Sequence, residues 1–97
     1  MVIIAKSALQ DFVKVHHNAM EPLNEWYEKV RNSDWATFAD IKRTFNSVDA
    51  VGNDRFVFNI KGNTYRLVAM IHFDRRTLYI RFIGTHASYD KINCSTI

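Results

Sequence analysis

The chain has 97 residues, 47% of them apolar and 24% charged, with a formal net charge of +3. That composition excludes a disordered chain, and the length leaves room for one core rather than two. The single cysteine, Cys94, excludes an internal disulfide and a cysteine-rich zinc motif, and no apolar run approaches the ~20 residues that span a bilayer.

The start, MVIIAKSALQ, carries no basic region ahead of its apolar residues and no cleavage pattern, so a signal peptide is not expected. A reduced, cytoplasmic setting is the expectation that follows. With three Gly, one Pro and no repeat, nothing marks a linker, and one domain over residues 1–97 is expected. The charge is uneven. Residues 1–49 hold six basic and seven acidic side chains, residues 50–97 seven and three. A basic excess in one region suits a polyanion such as RNA, although it also suits an inert, well-solvated surface.

Val2 to Ala5 reads as a short strand. Ser7 and Gln10 have the spacing of a capping box, and Leu9, Phe12, Val13 and His16 follow as one helical face. A second helix is expected after Met20, with Pro22 in its first turn and Leu23, Trp26, Tyr27 and Val30 facing inward. Glu21, Glu25 and Glu28 near its start, and Lys29 and Arg31 near its end, match the helix dipole. Ser33 or Thr37 caps a third, shorter helix carrying Phe38, Ile41 and Phe45.

From Ser47 the period becomes strand-like. Strands are expected at Val48 to Val51, Arg55 to Ile60, Tyr65 to Phe73 and Leu78 to Ile83. Turns fall at Gly52 to Asp54, Lys61 to Thr64 and Asp74 to Thr77. Thr85 is a plausible cap for a last short helix. Helices followed by an antiparallel meander give an α+β domain of two layers, with helices on one sheet face and the other face left for a ligand.

Alternation places Arg66, Val68, Met70 and His72 on one side of the long strand, and Tyr79, Arg81 and Ile83 on one side of the last. Arg66 and Arg81 then share the uncovered face, with Tyr79 near, Lys61 at the preceding turn, and His86 and Tyr89 at the rim. Two arginines bind a phosphate and its transition state, a histidine moves a proton near neutral pH, and a tyrosine stacks on a base or donates a proton. RNA brings its own nucleophile, the 2′-hydroxyl, so such a site needs no metal or cofactor, and no His or acidic cluster has metal-ligand spacing. Each residue also has a plain structural use: a rim Arg pairs with a carboxylate, a His after a strand is hydrogen-bonded, and Arg75 and Arg76 form a solvated turn tip.

The stretch Phe58-Asn59-Ile60-Lys61-Gly62-Asn63-Thr64-Tyr65-Arg66-Leu67-Val68 and the later Tyr79-Ile80-Arg81-Phe82-Ile83-Gly84-Thr85-His86-Ala87-Ser88-Tyr89-Asp90-Lys91-Ile92 closely resemble the HigB family of bacterial toxins. Ile4-x-Lys6-x-x-Leu9, Trp26-Tyr27 and the segment Phe45 to Gly52 resemble it too. The resemblance implies a RelE-like fold and an mRNA interferase of a type II toxin–antitoxin pair. It implies cutting of translated mRNA in the ribosomal A site by 2′-hydroxyl attack without a metal, leaving a 2′,3′-cyclic phosphate and a 5′-hydroxyl. The implied partners are a HigA-type helix-turn-helix antitoxin, rRNA, and operator DNA through the antitoxin complex alone. Carried onto this sequence, the motif assigns Arg66 and Arg81 to phosphate and transition state, and His86 to acid–base work. Lys61 goes to rRNA or the scissile phosphate and Tyr89 to stacking or proton relay. Asn63, Arg75, Arg76 and Tyr79 are further RNA-binding candidates, and Asp90 orients or caps. Relatives of the same fold that poison DNA gyrase, and a degenerate module that only binds antitoxin or ribosome, are the rival readings.

Overall fold

The computed structural model describes residues 1–97 as a five-stranded sheet in the order β1-β5-β4-β3-β2 with helices against one face. The strands are β1 (Val2–Ile4), β2 (Asp49–Gly52), β3 (Arg55–Ile60), β4 (Tyr65–His72) and β5 (Thr77–Thr85), and the helices α1 (Lys6–Val15), α2 (Met20–Arg31), α3 (Phe38–Thr44) and α4 (His86–Tyr89). The fold is thus α+β, as the hydrophobic periods require. The sheet is mixed rather than antiparallel throughout. β2 to β5 form the expected meander, and β1 joins its edge parallel to β5, with Ile3 opposite Leu78.

Several local expectations are corrected. Ser7 caps nothing: β1 runs to Ile4, the chain reverses at Ala5 in the left-handed region (φ 74°), and α1 already begins at Lys6. His16 ends α1 instead of continuing it, its ring stacked on Phe12 at 4.4 Å. Of the two proposed caps for α3, Thr37 is the one used. Its hydroxyl accepts from the Asp40 amide, while the Asp40 carboxylate accepts from the amides of Ala36 and Thr37. Those amides, above all Ala36, hold the Asp40 carboxyl below its ordinary range. β4 stops at His72 because Phe73–Arg75 form a 3-10 turn closed by Arg76 in the left-handed region.

The core lies between the helices and the face of β3, β4 and β5 carrying Phe58, Leu67, Ile71 and Leu78. Phe58 is its centre: Trp26 and Phe45 meet it edge-on at 5.5 and 5.4 Å, and Trp35 stacks on it at 6.4 Å. Offset and edge contacts of this kind add to the burial of three large rings.

The main departure from strict alternation is in β5. Val68 pairs with Phe82 and Ala69 with Ile80, so Arg81 is an extra residue, a β-bulge. Before the bulge, Tyr79 lies opposite Met70. After it the faces exchange: Phe82 joins the side of Val68 and Arg66, and Ile83, opposite Leu67, packs against the core. The expected grouping of Tyr79, Arg81 and Ile83 on one face therefore fails.

The second sheet face is not left bare either. From α4 the segment Asn93–Ile97 crosses it. Asn53 donates to the Ser95 carbonyl at 2.8 Å, and Arg55 donates through Nε and Nη2 to the Ile97 carbonyl at 2.9 and 2.6 Å. Val57 and Val68 point to this face beneath its path, and both are buried.

Candidate active site

The candidate site forms at the end of the sheet where β3 turns into β4 and β5 runs into α4. The turn over Lys61–Thr64 has two consecutive left-handed residues, Lys61 (φ 54°) and Gly62 (φ 62°). Asn63 is not the residue that takes the left-handed conformation. Its side chain instead accepts a hydrogen bond from Arg66 Nη1 at 2.5 Å. The same Nη1 donates to Asn59 Oδ1 on the neighbouring strand, where Asn59 sits directly opposite Arg66. Across the other side of Arg66 stands Gly84, and a side chain there would meet the Phe82 ring at 2.5 Å. The glycine leaves that ring the space it occupies.

Arg66 is half-buried, and no carboxylate lies within ion-pairing distance. Two neutral amide oxygens orient it and leave its charge uncompensated, which suits an incoming anion. Its guanidinium carbon is 5.8 Å from the centroid of the Tyr89 ring. The Tyr89 hydroxyl donates to Cys94 Sγ at 3.6 Å. That hydrogen bond, together with partial burial, pushes the phenol up to about 12, against the pull of Arg66 in the other direction. Tyr89 therefore keeps its proton at neutral pH and is a donor, not a base.

His86 opens α4, after the Thr85 cap, whose hydroxyl accepts from the Ser88 amide at 3.2 Å. Its Nε2 is buried without a hydrogen-bond partner. Arg81, on the bulge, is exposed and makes no side-chain hydrogen bond or ion pair. Lys61 is exposed at the turn, and Asp90 is exposed after α4.

Other expected members fall elsewhere. Arg75 and Arg76 belong to the turn at the far end of β4, roughly 20 Å along the strand from Arg66. Arg76 is also engaged, donating to Asp34 at 2.7 Å and to the Phe73 carbonyl. Tyr79 is on the Arg66 side of the sheet, but it lies opposite Met70 and its ring meets His72 edge-on at 5.6 Å. Sequence reasoning missed Asn59 and Cys94. Asn59 is legible afterwards as the one amide in an otherwise apolar strand interior, whereas nothing in the last residues announces a partner for Tyr89.

No three His, Cys, Asp or Glu side chains converge as metal ligands, and no helix is long and apolar enough to cross a membrane. The architecture is that of a small helix-on-sheet domain with a cationic site at one end of a mixed sheet. The chain belongs to the HigB toxin family, described as the RelE-like toxic component of a toxin–antitoxin system, whose model matches residues 19–92. An antitoxin partner follows from that membership. The chain is 27% identical over 94 residues to the mRNA interferase HigB of Escherichia coli O6:H1, covering 95% of this chain and 91% of that one. It is 29% identical over 92 residues to the mRNA interferase toxin HigB of Escherichia coli K12, covering 93% and 88%, and equally to the mRNA interferase HigB of Shigella flexneri.

Proposed function

We propose that this protein is an endoribonuclease toxin that cuts translated mRNA on the ribosome, with a HigA-type helix-turn-helix protein as its antitoxin. The family, and relatives named mRNA interferases over nearly the whole chain, support the toxin and the reaction class. The observation that carries the chemistry is Arg66, half-buried, held by Asn59 and Asn63 and matched by no carboxylate.

In this reading Arg66 holds the scissile phosphate, with Arg81 and Lys61 adding charge from the bulge and the turn. The 2′-hydroxyl of the preceding ribose attacks phosphorus. His86 Nδ1 takes the proton lost from that oxygen. The bond from phosphorus to the 5′-oxygen breaks, and Tyr89 delivers a proton to the leaving oxygen. The products are a 2′,3′-cyclic phosphate and a 5′-hydroxyl. Arginine is suited to the pentacoordinate transition state because its planar donors meet two equatorial oxygens together.

The test is brief induction in bacteria, with new 5′ ends mapped across the transcriptome and Arg66→Ala and Arg81→Ala as controls. The expected result is 5′-hydroxyl ends inside translated frames that disappear in both variants. Growth arrest with intact mRNA overturns the reading and directs attention to gyrase, through a supercoiling assay.

A further inference from the structure

The chain has seven phenylalanines, and the core accounts for six of them. Phe56 and Phe58 belong to the buried cluster, and Phe12, Phe38, Phe45 and Phe73 pack against it. Each of these six also meets another ring, edge-on or stacked. Phe82 is the exception. It is half-buried, lies outside the core and pairs with no other ring.

Three observations bear on what Phe82 does. The first is its face. Strict alternation would send residue 82 to the helix side of the sheet together with Ile80. The bulge at Arg81 sends it to the other side instead, opposite Val68 and next to the pair formed by Arg66 and Gly84. Bulges beside functional sites re-aim a side chain in this way. The second is where the ring ends. Gly84 stands directly opposite Arg66, and a Cβ on Gly84 would meet the Phe82 ring at Cζ (2.5 Å), Cε2 (3.0 Å) and Cε1 (3.3 Å). The end of the ring thus fills the place where the cross-strand neighbour of Arg66 would carry its side chain. Such neighbours hold their Cβ atoms about 4.5–5.5 Å apart. The third is the glycine itself. Gly84 is outside the left-handed region that Gly52 and Gly62 adopt, so its backbone does not require glycine. A glycine inside a strand weakens the strand. What position 84 provides is room for that ring beside Arg66.

The geometry points to Phe82 as the base platform of the site, the ring on which a nucleobase flanking the phosphate at Arg66 stacks. The assignment rests on the ribonuclease reading above. An uncompensated guanidinium and an aromatic ring free of other rings, side by side on one face, match a nucleotide, which carries a phosphate and a flat base together. Stacking tolerates any base, because every base has a π face. Phe82 therefore adds affinity for RNA without adding a sequence preference.

The test is cutting by the whole protein on ribosomes carrying a short synthetic mRNA. The cut is first located on the intact message. The message is then made with the base removed on one side or the other of that phosphate, sugar and phosphate left in place. Phe82→Leu keeps the apolar volume and loses the ring. It is expected to cut the intact message about tenfold more slowly than the wild type, and to match the wild type on the message lacking the stacked base. Phe82→Tyr, which keeps the ring, is expected to restore cutting of the intact message. Equal slowing of all messages by Phe82→Leu makes the ring a plug over Val68 and overturns the assignment. Full activity of Phe82→Leu on the intact message overturns it as well. Thermal unfolding is measured for each variant, and Phe82→Met, a second filling of the same space without a ring, carries the same expectation where the leucine variant unfolds. A wild type that leaves the intact message whole defeats the ribonuclease reading and the platform together. That outcome is distinct from a wild type and a Phe82→Leu that cut alike, which defeats the platform alone.

Discussion

Arg66 and Arg76 lie near opposite ends of the β4–β5 hairpin, and their surroundings differ in kind. Arg76 donates to the Asp34 carboxylate and the Phe73 carbonyl, closing the turn from β4 to β5. Arg55, at the same end, holds the last residues of the chain through the Ile97 carbonyl. These guanidiniums serve the fold. Arg66 is restrained just as firmly, but only by the neutral side chains of Asn59 and Asn63. A carboxylate partner would cancel its charge, whereas an amide orients the group and leaves the charge in place. Arg76 and Arg66 thus differ in whether a partner cancels their charge, and sequence position alone does not reveal which.

The sharpest way to break this comparison is to remove each arginine. Arg66→Ala is expected to lower mRNA cutting by about 10²–10³-fold, measured by counting 5′-hydroxyl ends, with thermal unfolding little changed. If Arg66→Ala keeps full activity, the contrast between the two ends has no functional meaning. Asn59→Asp tests the neutrality argument directly, because it keeps the shape and adds a carboxylate opposite Arg66. Cutting is expected to fall by roughly tenfold or more while denaturant stability holds or rises, the opposite of what simple structural damage produces. Arg76→Ala is expected to leave cutting unchanged and to cost at most about 1 kcal/mol in urea unfolding, since the pair with Asp34 is largely exposed.

The smallest effect concerns Tyr89. Its phenol is pushed up to about 12 in the folded protein, first by the hydrogen bond to Cys94. The unfolded value is about 10. The folded state therefore holds the proton more tightly, and this stabilisation is complete below pH 10 and is lost as pH rises through about 12. Cys94→Ala is expected to bring the ionisation of Tyr89 back toward the ordinary phenol range. Ultraviolet difference titration against Tyr89→Phe measures it, and an unchanged curve in Cys94→Ala removes Cys94 from the site.

Much of this architecture is legible in the residues. The bounds of β3, Thr37 as one of the two caps offered for α3 and the Thr85 cap all rest on local rules of spacing and turn chemistry, and they read correctly. Arg66 as a candidate is legible for a similar reason, as a charged residue inside an apolar strand. What escaped depends on contacts distant in sequence or on a break in period. Three residues of β1 carry no information about which edge they join. The crossing of Asn93–Ile97 rests on Asn53 and Arg55, some forty positions earlier, and no local pattern announces it. The bulge at Arg81 defeats alternation, because a period-two reading passes through an inserted residue without notice and assigns every later side chain to the wrong face.

That inserted residue also governs which changes of length this strand accepts. Removing Arg81 alone leaves Ile80 opposite Ala69 and Phe82 opposite Val68, so every other side chain of β5 keeps its face. Removing Tyr79 instead turns the residues before the gap over, bringing the core side chain of Leu78 to water. In a library of single-residue deletions across β5, position 81 is the one where the fold is expected to survive, and mRNA cutting by that variant tests the proposed role of Arg81. Such a library separates selection for folding from selection for toxicity within nine consecutive codons.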